Sequence, residues 1–194
     1  MRVSIKTPVK REDGIELKEI GIDKVVVPER AVMSIDGSTT NTGIGILKES
    51  DGSIYYVIAA TREKEETPVQ YKVKLKRFIE DILLRNGNIC RVYYEEPFIG
   101  YAVSAASLLM LRTFIEELIV ENEPKLDYIQ YEEISNKKWK RLFLYPTKCP
   151  SDSKLEKKLV RDKMLSGLPF LKDCTQDEID SLGMGYIATV QISK

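Results

Sequence analysis

Histidine is absent from all 194 residues of the sequence. This absence excludes the Ser-His-Asp and Cys-His hydrolases, and it excludes proton transfer through an imidazole group. The usual zinc enzymes are excluded as well, because they depend on histidine ligands. Any acid, base or metal chemistry must therefore use Asp, Glu, Lys, Tyr or water.

Cysteine is scarce, and long apolar runs are missing. Cys90, Cys149 and Cys174 are odd in number and lack the spacing of metal ligands, which favours reduced thiols in a reducing compartment. No run approaches the roughly 20 apolar residues of a membrane span. The N-terminal sequence MRVSIKTPVKREDG has no apolar segment of the kind that a secretory signal needs. We therefore expect a cytoplasmic protein without a membrane partner.

Charge is balanced overall but distributed unevenly. The sequence has 30 basic and 30 acidic residues, and 43% of its residues are apolar, which is typical of a globular domain. Residues 137–163 contain ten Lys or Arg and three acids, a net charge of +7 that the remaining chain offsets. Such a segment is often only a solvated surface. The interleaved Trp139, Phe143 and Tyr145 favour a phosphate-binding surface instead.

Hydrophobic patterning predicts an α/β domain. The runs AVMSID, IGIL and IYYVIAA are separated by turn-rich GSTTNTG and SDG, which predicts a three-stranded antiparallel meander from Ala31. Two further strands are predicted at residues 90–95 and 127–131, and helices at residues 67–86, 101–120 and 175–193. The apolar residues of 101–120 exceed one stripe, which favours burial on two sides.

The N-terminal residues have a weaker hydrophobic pattern than the rest of the chain. Residues 1–30 have short β-like pieces at 3–5 and 24–27 and are interpreted as an N-terminal arm or hairpin. The domain proper is predicted over 31–194, with a basic helical insertion at about 135–172 that contains helices at 136–143 and 153–165. Thr175, three residues before Glu178, is the signature of a capping box at the start of the last helix.

Four acidic residues lie where these elements begin or end. Asp36 ends the first strand of the meander, Glu95 ends the fourth strand, and Asp177 and Asp180 lie three residues apart at the start of the last helix. Asp177 and Asp180 therefore share one helix face. Because a cluster of like charges is costly unless cations neutralise it, a hard divalent ion would be its natural occupant. Oxygen ligands select Mg²⁺ or Mn²⁺.

Four segments, SIDGSTTNTGIGI, VYYEEPF, SDSKLEKKLVRDKMLSGLP and QDEIDSLGMG, resemble in this order the motifs of the RuvC-like Holliday-junction resolvases of the RNase H-like (integrase) superfamily. The resemblance runs from about Ala31 to the C-terminus. It implies an RNase H-like fold with a mixed five-stranded sheet, three antiparallel strands followed by parallel strands, flanked by helices. It also implies a homodimer that resolves branched DNA, the four-way junction, by paired symmetric nicks. Phages encode diverged members, so a phage protein that acts in the host cytoplasm is the alternative location.

Carried over residue by residue, the resemblance assigns Asp36, Glu95, Asp177 and Asp180 as catalytic ligands of two Mg²⁺ ions, with Mn²⁺ as a substitute and 5′-phosphate products. Glu95 is chosen over Glu96 because the family's glutamate lies three residues before an aromatic residue, here Phe98. Phe98 is predicted to stack on an opened base. The basic residues predicted to contact DNA are Lys137, Lys138, Lys140, Arg141, Lys154, Lys157, Lys158 and Arg161.

Other interpretations stay open at the level of sequence. The run IDGSTTNTG also resembles the phosphate-binding turn of actin-like and sugar-kinase-like ATPases, although those proteins close two such domains around the nucleotide and this chain has room for one. A catalytically inactive nucleic-acid-binding protein would keep the fold, but all four acids are present. Each acid alone could be only a turn former or a first-turn helix residue. Nothing in the sequence distinguishes a DNA substrate from an RNA one.

Overall fold

The computed structural model describes residues 1–96, 113–118, 120–122, 125–126 and 128–192. Its strands are Arg2–Arg11 (β1), Gly14–Ile20 (β2), Ala31–Gly37 (β3), Asn41–Lys48 (β4), Ile54–Thr61 (β5), Ile89–Glu95 (β6) and Gln130–Ile134 (β7). Its helices are Pro68–Arg85 (α1), Asn136–Leu144 (α2), Ser153–Gly167 (α3) and Gln176–Ile192 (α4), with 3-10 turns at Ile22–Lys24 and Pro169–Leu171. Residues 113–118 and 120–121 are also helical.

All seven strands form one mixed sheet in the order β2-β1-β5-β4-β3-β6-β7. The predicted meander is confirmed: β3 pairs antiparallel with β4, and β4 pairs antiparallel with β5. β6 lies parallel to β3, and β7 lies parallel to β6. The α/β fold class is confirmed, but the sheet has seven strands instead of five because the hairpin of β1 and β2 joins it through β5.

Two strand predictions need correction. Lys24 ends the 3-10 turn, and residues 25–27 form no strand. Their main chain bonds to side chains instead: the Tyr56 hydroxyl accepts from Val26 N and donates to Val26 O, and Asn86 Oδ1 accepts from Val27 N at 2.9 Å. The last strand begins at Gln130, later than predicted, because the amide of Ile129 still closes a turn onto the carbonyl of Leu126.

Helix α1 begins and ends as local chemistry dictates. Thr67 and Gln70 form a reciprocal capping box, and Pro68 occupies the first helical position. The helix ends at Arg85, just before Asn86 and Gly87. Of the helix predicted at 101–120, residues 101–112 and 119 lie outside the described residues.

The sheet separates two apolar layers, since side chains alternate along each strand. On one face, Met33, Ile35, Ile44, Ile46 and Ile58 pack in a cluster with the buried residues of α1. On the other face, Leu47 and Val57 pack with the buried residues of α2, α3 and α4. Helices thus cover both faces, the three-layer arrangement of α/β domains. Within the described ranges, no helix is long and apolar enough to cross a membrane.

Helix α4 lies unusually close to the sheet at Gly43. A Cβ atom on Gly43 would lie 2.1 Å from the carbonyl oxygen of Asp177, so any side chain there would displace the helix. Further along the same contact, Ser34 Oγ donates to the carbonyl of Ser181 at 2.7 Å. Because Gly43 is also the cross-strand partner of Asp36, the start of α4 lies beside the end of β3.

Candidate active site

Asp36 and Glu95 lie side by side where β3 and β6 end. These strands are parallel neighbours with Ile35 opposite Tyr94, so the next residue of each strand extends from the same edge of the sheet. Strand alternation gives Asp36 the same face as Ser34, the face that α4 covers. The carboxyl group of Glu95 lies close enough to that of Asp36 to raise the pKa of Asp36.

The Asp36 carboxyl group is difficult to ionise. Burial raises the pKa of Asp36 well above its usual value, and the negative charge of Glu95 raises it further, with additional contributions from Asp180 and Asp177. Because all three other acids act on Asp36, we define Asp36, Glu95, Asp177 and Asp180 as one acid cluster. The sheet edge and the start of α4 therefore bring together the four acids that the sequence motifs identify.

Helix α4 supplies two of these acids from its first turns. Its predicted capping box is confirmed: Thr175 Oγ1 accepts from Glu178 N at 3.3 Å, and Glu178 Oε2 accepts from Thr175 N at 2.6 Å. Burial raises the pKa of Asp177 and of Asp180. Ionisation of either group is therefore less favourable in the protein than it is for an exposed carboxyl group.

Two amide side chains orient members of the acid cluster. Asn136, the first residue of α2, donates from Nδ2 to Glu95 Oε1. Gln176, the first residue of α4, donates from Nε2 to Asp180 Oδ1 at 2.7 Å. Neither residue was predicted from the sequence. Polar residues are common at helix starts for capping alone, so the sequence pattern contains no signal for this second role.

Lys140 lies inside the protein, contrary to its predicted contact with DNA. Its side chain is 2% exposed, and its Nζ lies 3.3 Å from Glu156 Oε2 and 3.8 Å from Asp180 Oδ2. The same ammonium group lies 5.3 Å from the centre of the Trp139 ring. A lysine must reach solvent to bind a phosphate, so we remove Lys140 from the predicted DNA contacts. Its charge instead offsets part of the acid cluster.

A groove of about 1410 Å³, which we call the basic groove, is lined by four cationic side chains and by Glu95, Glu96 and Glu156. The exposed side chains of Lys137, Lys138 and Arg141 on α2 line it, together with Lys148 of the following loop. Lys148 was not among the DNA contacts predicted from the sequence. Its position in the groove depends on how the loop after α2 folds back, which local patterning does not predict. Four cationic side chains thus share one groove with a member of the acid cluster.

Helix α3 presents further lysines beside the acid cluster. Lys154, Lys157 and Lys158 are exposed. Lys157 is close enough for its charge to oppose the upward pKa shifts of Asp177 and Asp180 that burial causes. The positive charge of Lys157 on α3 therefore acts directly on two members of the acid cluster.

Two other predicted DNA contacts, Arg161 and Phe98, are not exposed lysines of this kind. Arg161 donates from Nη1 to the carbonyl of Cys174 at 3.0 Å and from Nη2 to the carbonyl of Lys172 at 2.8 Å. Its guanidinium group thus fastens the segment before α4, and its predicted contact with DNA stays a prediction. Phe98 lies outside the described residues. Glu96, the rejected alternative to Glu95, is exposed beyond the end of β6.

The acid cluster offers only carboxyl oxygens as ligands for a metal ion. In the described part of the chain, no group of three or more Asp, Glu or Cys side chains is arranged so that it could hold an ion as placed. The chemistry of the acid cluster nevertheless fits a hard divalent cation, because such ions prefer carboxylate oxygens and because Glu95, Asp177 and Asp180 lie close enough to raise the pKa of Asp36. Side-chain rotation would be needed to complete such a site.

Three solved structures share this fold. Thermus thermophilus RuvC in complex with a Holliday-junction substrate matches with a TM-score of 0.61 and 14% identity over 84% of this chain and 96% of that chain. Another T. thermophilus RuvC structure matches with a TM-score of 0.59 and 16% identity over the same shares. The yeast mitochondrial Holliday junction resolvase Ydc2 matches with a TM-score of 0.52 and 14% identity over 88% of this chain and 83% of that chain.

Similarity at these identities concerns the fold. The resemblance to RuvC-like resolvases is thereby confirmed at the level of the fold. No protein-family model matches the sequence, and no curated protein matches it.

Proposed function

We propose that this protein is a metal-dependent, structure-selective DNA endonuclease that resolves four-way junctions by paired symmetric nicks. The observation that supports this most directly is the acid cluster, in which the charges of three other acids act on Asp36 where β3, β6 and α4 meet. The cluster lies within a fold shared with T. thermophilus RuvC, a protein whose structure was solved with a Holliday-junction substrate.

In this proposal the acid cluster would hold two Mg²⁺ ions, or Mn²⁺ in their place, and the products would have 5′-phosphates. Such ions, when bound, activate a water molecule and neutralise charge on the scissile phosphate. The protein's own contribution is orientation. The parallel pairing of β3 and β6 sets the spacing of Asp36 and Glu95, and the amides of Asn136 and Gln176 fix the carboxyl groups that they contact.

The basic groove is the proposed path of the DNA backbone. Its four cations, at Lys137, Lys138, Arg141 and Lys148, lie in the same groove as Glu95, so a phosphate chain bound there would pass the acid cluster. The exposed lysines of α3 would extend the cationic surface beside Asp177 and Asp180. Contacts of this kind give affinity without sequence preference.

Paired nicking requires two active sites. A four-way junction has approximate two-fold symmetry, and one site cannot cut both strands at once, so we propose a C2 homodimer. Light scattering should give about twice the 22.2 kDa chain mass. The proposed dimer would not use Leu118, which is 1% exposed and belongs to the core. A monomer on junction DNA that still makes paired nicks would overturn the dimer.

Incubation with labelled substrates tests the function. The purified protein is mixed with Mg²⁺ and a four-way DNA junction, a DNA duplex or a junction with RNA strands, and ATP hydrolysis is measured in parallel. Symmetric nicks confined to the DNA junction would support the proposal. Equal cutting of the RNA junction would broaden the substrate class, and ATP hydrolysis without nicking would favour the ATPase interpretation.

A further inference from the structure

The N-terminal hairpin of β1 and β2 has no role in the proposed function, yet it contacts the start of α4. Lys6 on β1 forms an ion pair with Glu178 on α4, with 3.0 Å between Lys6 Nζ and Glu178 Oε1. The Glu178 side chain is completely buried, and that of Lys6 is 19% exposed. The hairpin thus places a cation inside the protein, directly beside the residues that follow Asp177.

The position of Lys6 is fixed by packing on both faces of the sheet. Alternation along β1 places Ile5 in the core that faces α1 and Lys6 on the face that α4 covers. In the register of the sheet, Lys6 lies between Glu19 on β2 and Val57 on β5. Val57 belongs to the apolar cluster around α4, and Leu17 of β2 packs against that cluster. The packing of these strands therefore holds Lys6 in place.

Glu178 links the hairpin to the helix start. Its Oε1 accepts from Lys6, and its Oε2 accepts from the amide of Thr175 at 2.6 Å, so one carboxylate serves both the ion pair and the helix cap. Burial alone would lower the pKa of Lys6, but the hydrogen bond and charge of Glu178 outweigh it and raise that pKa. A buried carboxylate that loses its cation is strongly destabilised. Removing Lys6 would therefore disturb the cap.

Glu178 lies next to Asp177 and two residues before Asp180, within the first turns of α4. Any shift of the capped turn would therefore move both acids relative to the strand acids Asp36 and Glu95. Two-metal sites depend on the exact placement of their carboxylates, and residues that orient ligands affect metal affinity by about 10- to 100-fold. This buried ion pair connects the hairpin to the turn of α4 that contains Asp177 and Asp180.

We propose that the N-terminal hairpin positions the acidic face of α4 through the Lys6–Glu178 ion pair, which makes Lys6 a positioning residue for the acid cluster. The proposal rests on the proposed function in one respect, that Asp177 and Asp180 bind the metal ions. It adds that the strand hairpin outside the four sequence motifs is required for full metal binding and for full nuclease turnover.

The test compares Lys6→Met with Lys10→Met in the full chain. Lys10 lies on the same face of β1 but is exposed near the hairpin tip, so it is a matched control. For Lys6→Met we expect hydrogen exchange at the amides of Thr175, Glu178 and Ile179 to be faster by about tenfold, because all three bond within the cap. We also expect Mn²⁺ affinity, measured by calorimetry without DNA, and kcat for nicking each to fall by about tenfold. Lys10→Met should match the wild type.

Two further variants separate positioning from general stability. Lys6→Arg keeps the charge and should restore Mn²⁺ affinity to within about threefold of the wild type, because a cation still faces Glu178. Adding Lys6→Met to Glu178→Gln should cause little further loss of Mn²⁺ affinity, since both changes act through one contact. If Lys6→Met does not fold, Lys6→Gln, which keeps a hydrogen-bond donor, takes its place.

The outcomes distinguish this proposal from the proposed function. A lower melting temperature for Lys6→Met with unchanged hydrogen exchange and Mn²⁺ affinity would overturn the positioning role. A protein that binds Mn²⁺ in a Lys6-dependent way but cuts no junction would overturn the junction function and support the positioning role. If the wild type binds no Mn²⁺, the proposed function and the claim of positioned metal ligands both fail.

Discussion

The ammonium group of Lys140 lies 3.8 Å from the Asp180 carboxylate in the interior of the protein. The same group lies 3.3 Å from Glu156 Oε2, and Glu156 Oε1 is 3.0 Å from the thiol of Cys149. A single buried cation thus joins the acid cluster to α3 and to the wall of the basic groove. In the absence of a metal ion, Lys140 partly balances the charge of the cluster.

Replacing this buried cation should destabilise the protein and make its stability depend on divalent ions. We expect Lys140→Met to lower the free energy of unfolding by about 3 kcal/mol, because it leaves the buried carboxylate of Asp180 and the partly buried carboxylate of Glu156 without their cation. Saturating Mn²⁺ should recover more stability in the variant than in the wild type. Urea unfolding with and without Mn²⁺ measures both effects. Lys137→Met, an exposed change on the same helix, is the control, and equal losses for the two variants would contradict this role of Lys140.

The assignment of the acids is tested by single amide substitutions. Asp36→Asn and Glu95→Gln should abolish junction cleavage, by at least about 10³-fold, because each removes a proposed metal ligand. Junction binding should stay within a few-fold of the wild type, since the phosphate contacts lie in the basic groove. Glu96→Gln is the matched control and should remain active. Inactive Glu96→Gln with active Glu95→Gln would show that the wrong glutamate was chosen.

The raised pKa of Asp36 predicts how stability changes with pH. Its pKa in the folded protein lies well above the ordinary value of 3.8, so the folded state binds a proton more tightly than the unfolded state. Stability of the metal-free protein should therefore fall as the pH rises from about 4 through the raised pKa. Asp36→Asn should remove much of this loss and be more stable than the wild type at neutral pH. Chemical denaturation at several pH values in the presence of a chelator measures the free energy of unfolding of both proteins. A wild-type free energy of unfolding that does not change with pH would contradict the prediction.

The basic groove should dominate the salt dependence of DNA binding. Changing Lys137, Lys138, Arg141 and Lys148 to Gln should reduce the slope of log K against log salt by roughly 0.9 for each lost phosphate contact. Binding to junction and to duplex should weaken together. The control changes exposed lysines away from the groove, Lys10, Lys18 and Lys64, and should leave the slope unchanged. The same slope in both variants would show that the groove is only a solvated surface.

Local chemistry allowed much of this structure to be predicted. The strand meander follows from short apolar runs and turn residues, and the start of α4 follows from Thr175 and Glu178, three residues apart. The meeting of Asp36 and Glu95 follows from the ends of two predicted strands, once those strands are placed side by side. Each of these features depends on patterns of a few residues.

Features that depend on distant parts of the chain could not be predicted in this way. Lys6 and Glu178 are separated by 172 positions, and no periodicity relates them. Lys140 and Arg161 looked like DNA contacts because they belong to a basic segment, whereas folding turns Lys140 towards Asp180 and directs Arg161 to two main-chain carbonyls. Net charge identifies a cationic segment but does not show which of its members face solvent.

The close approach at Gly43 determines how the acids of the strands are spaced from those of the helix. Because main chain meets main chain there, no side chain separates β4 from the start of α4. Substitutions in the apolar layers change side-chain volume there but place no atoms between Gly43 and Asp177. We therefore expect such substitutions to leave the distance between Asp36 and Asp177 unchanged. We therefore expect replacement of Gly43, which has no side-chain functional group, to be tolerated as poorly as replacement of the four acids.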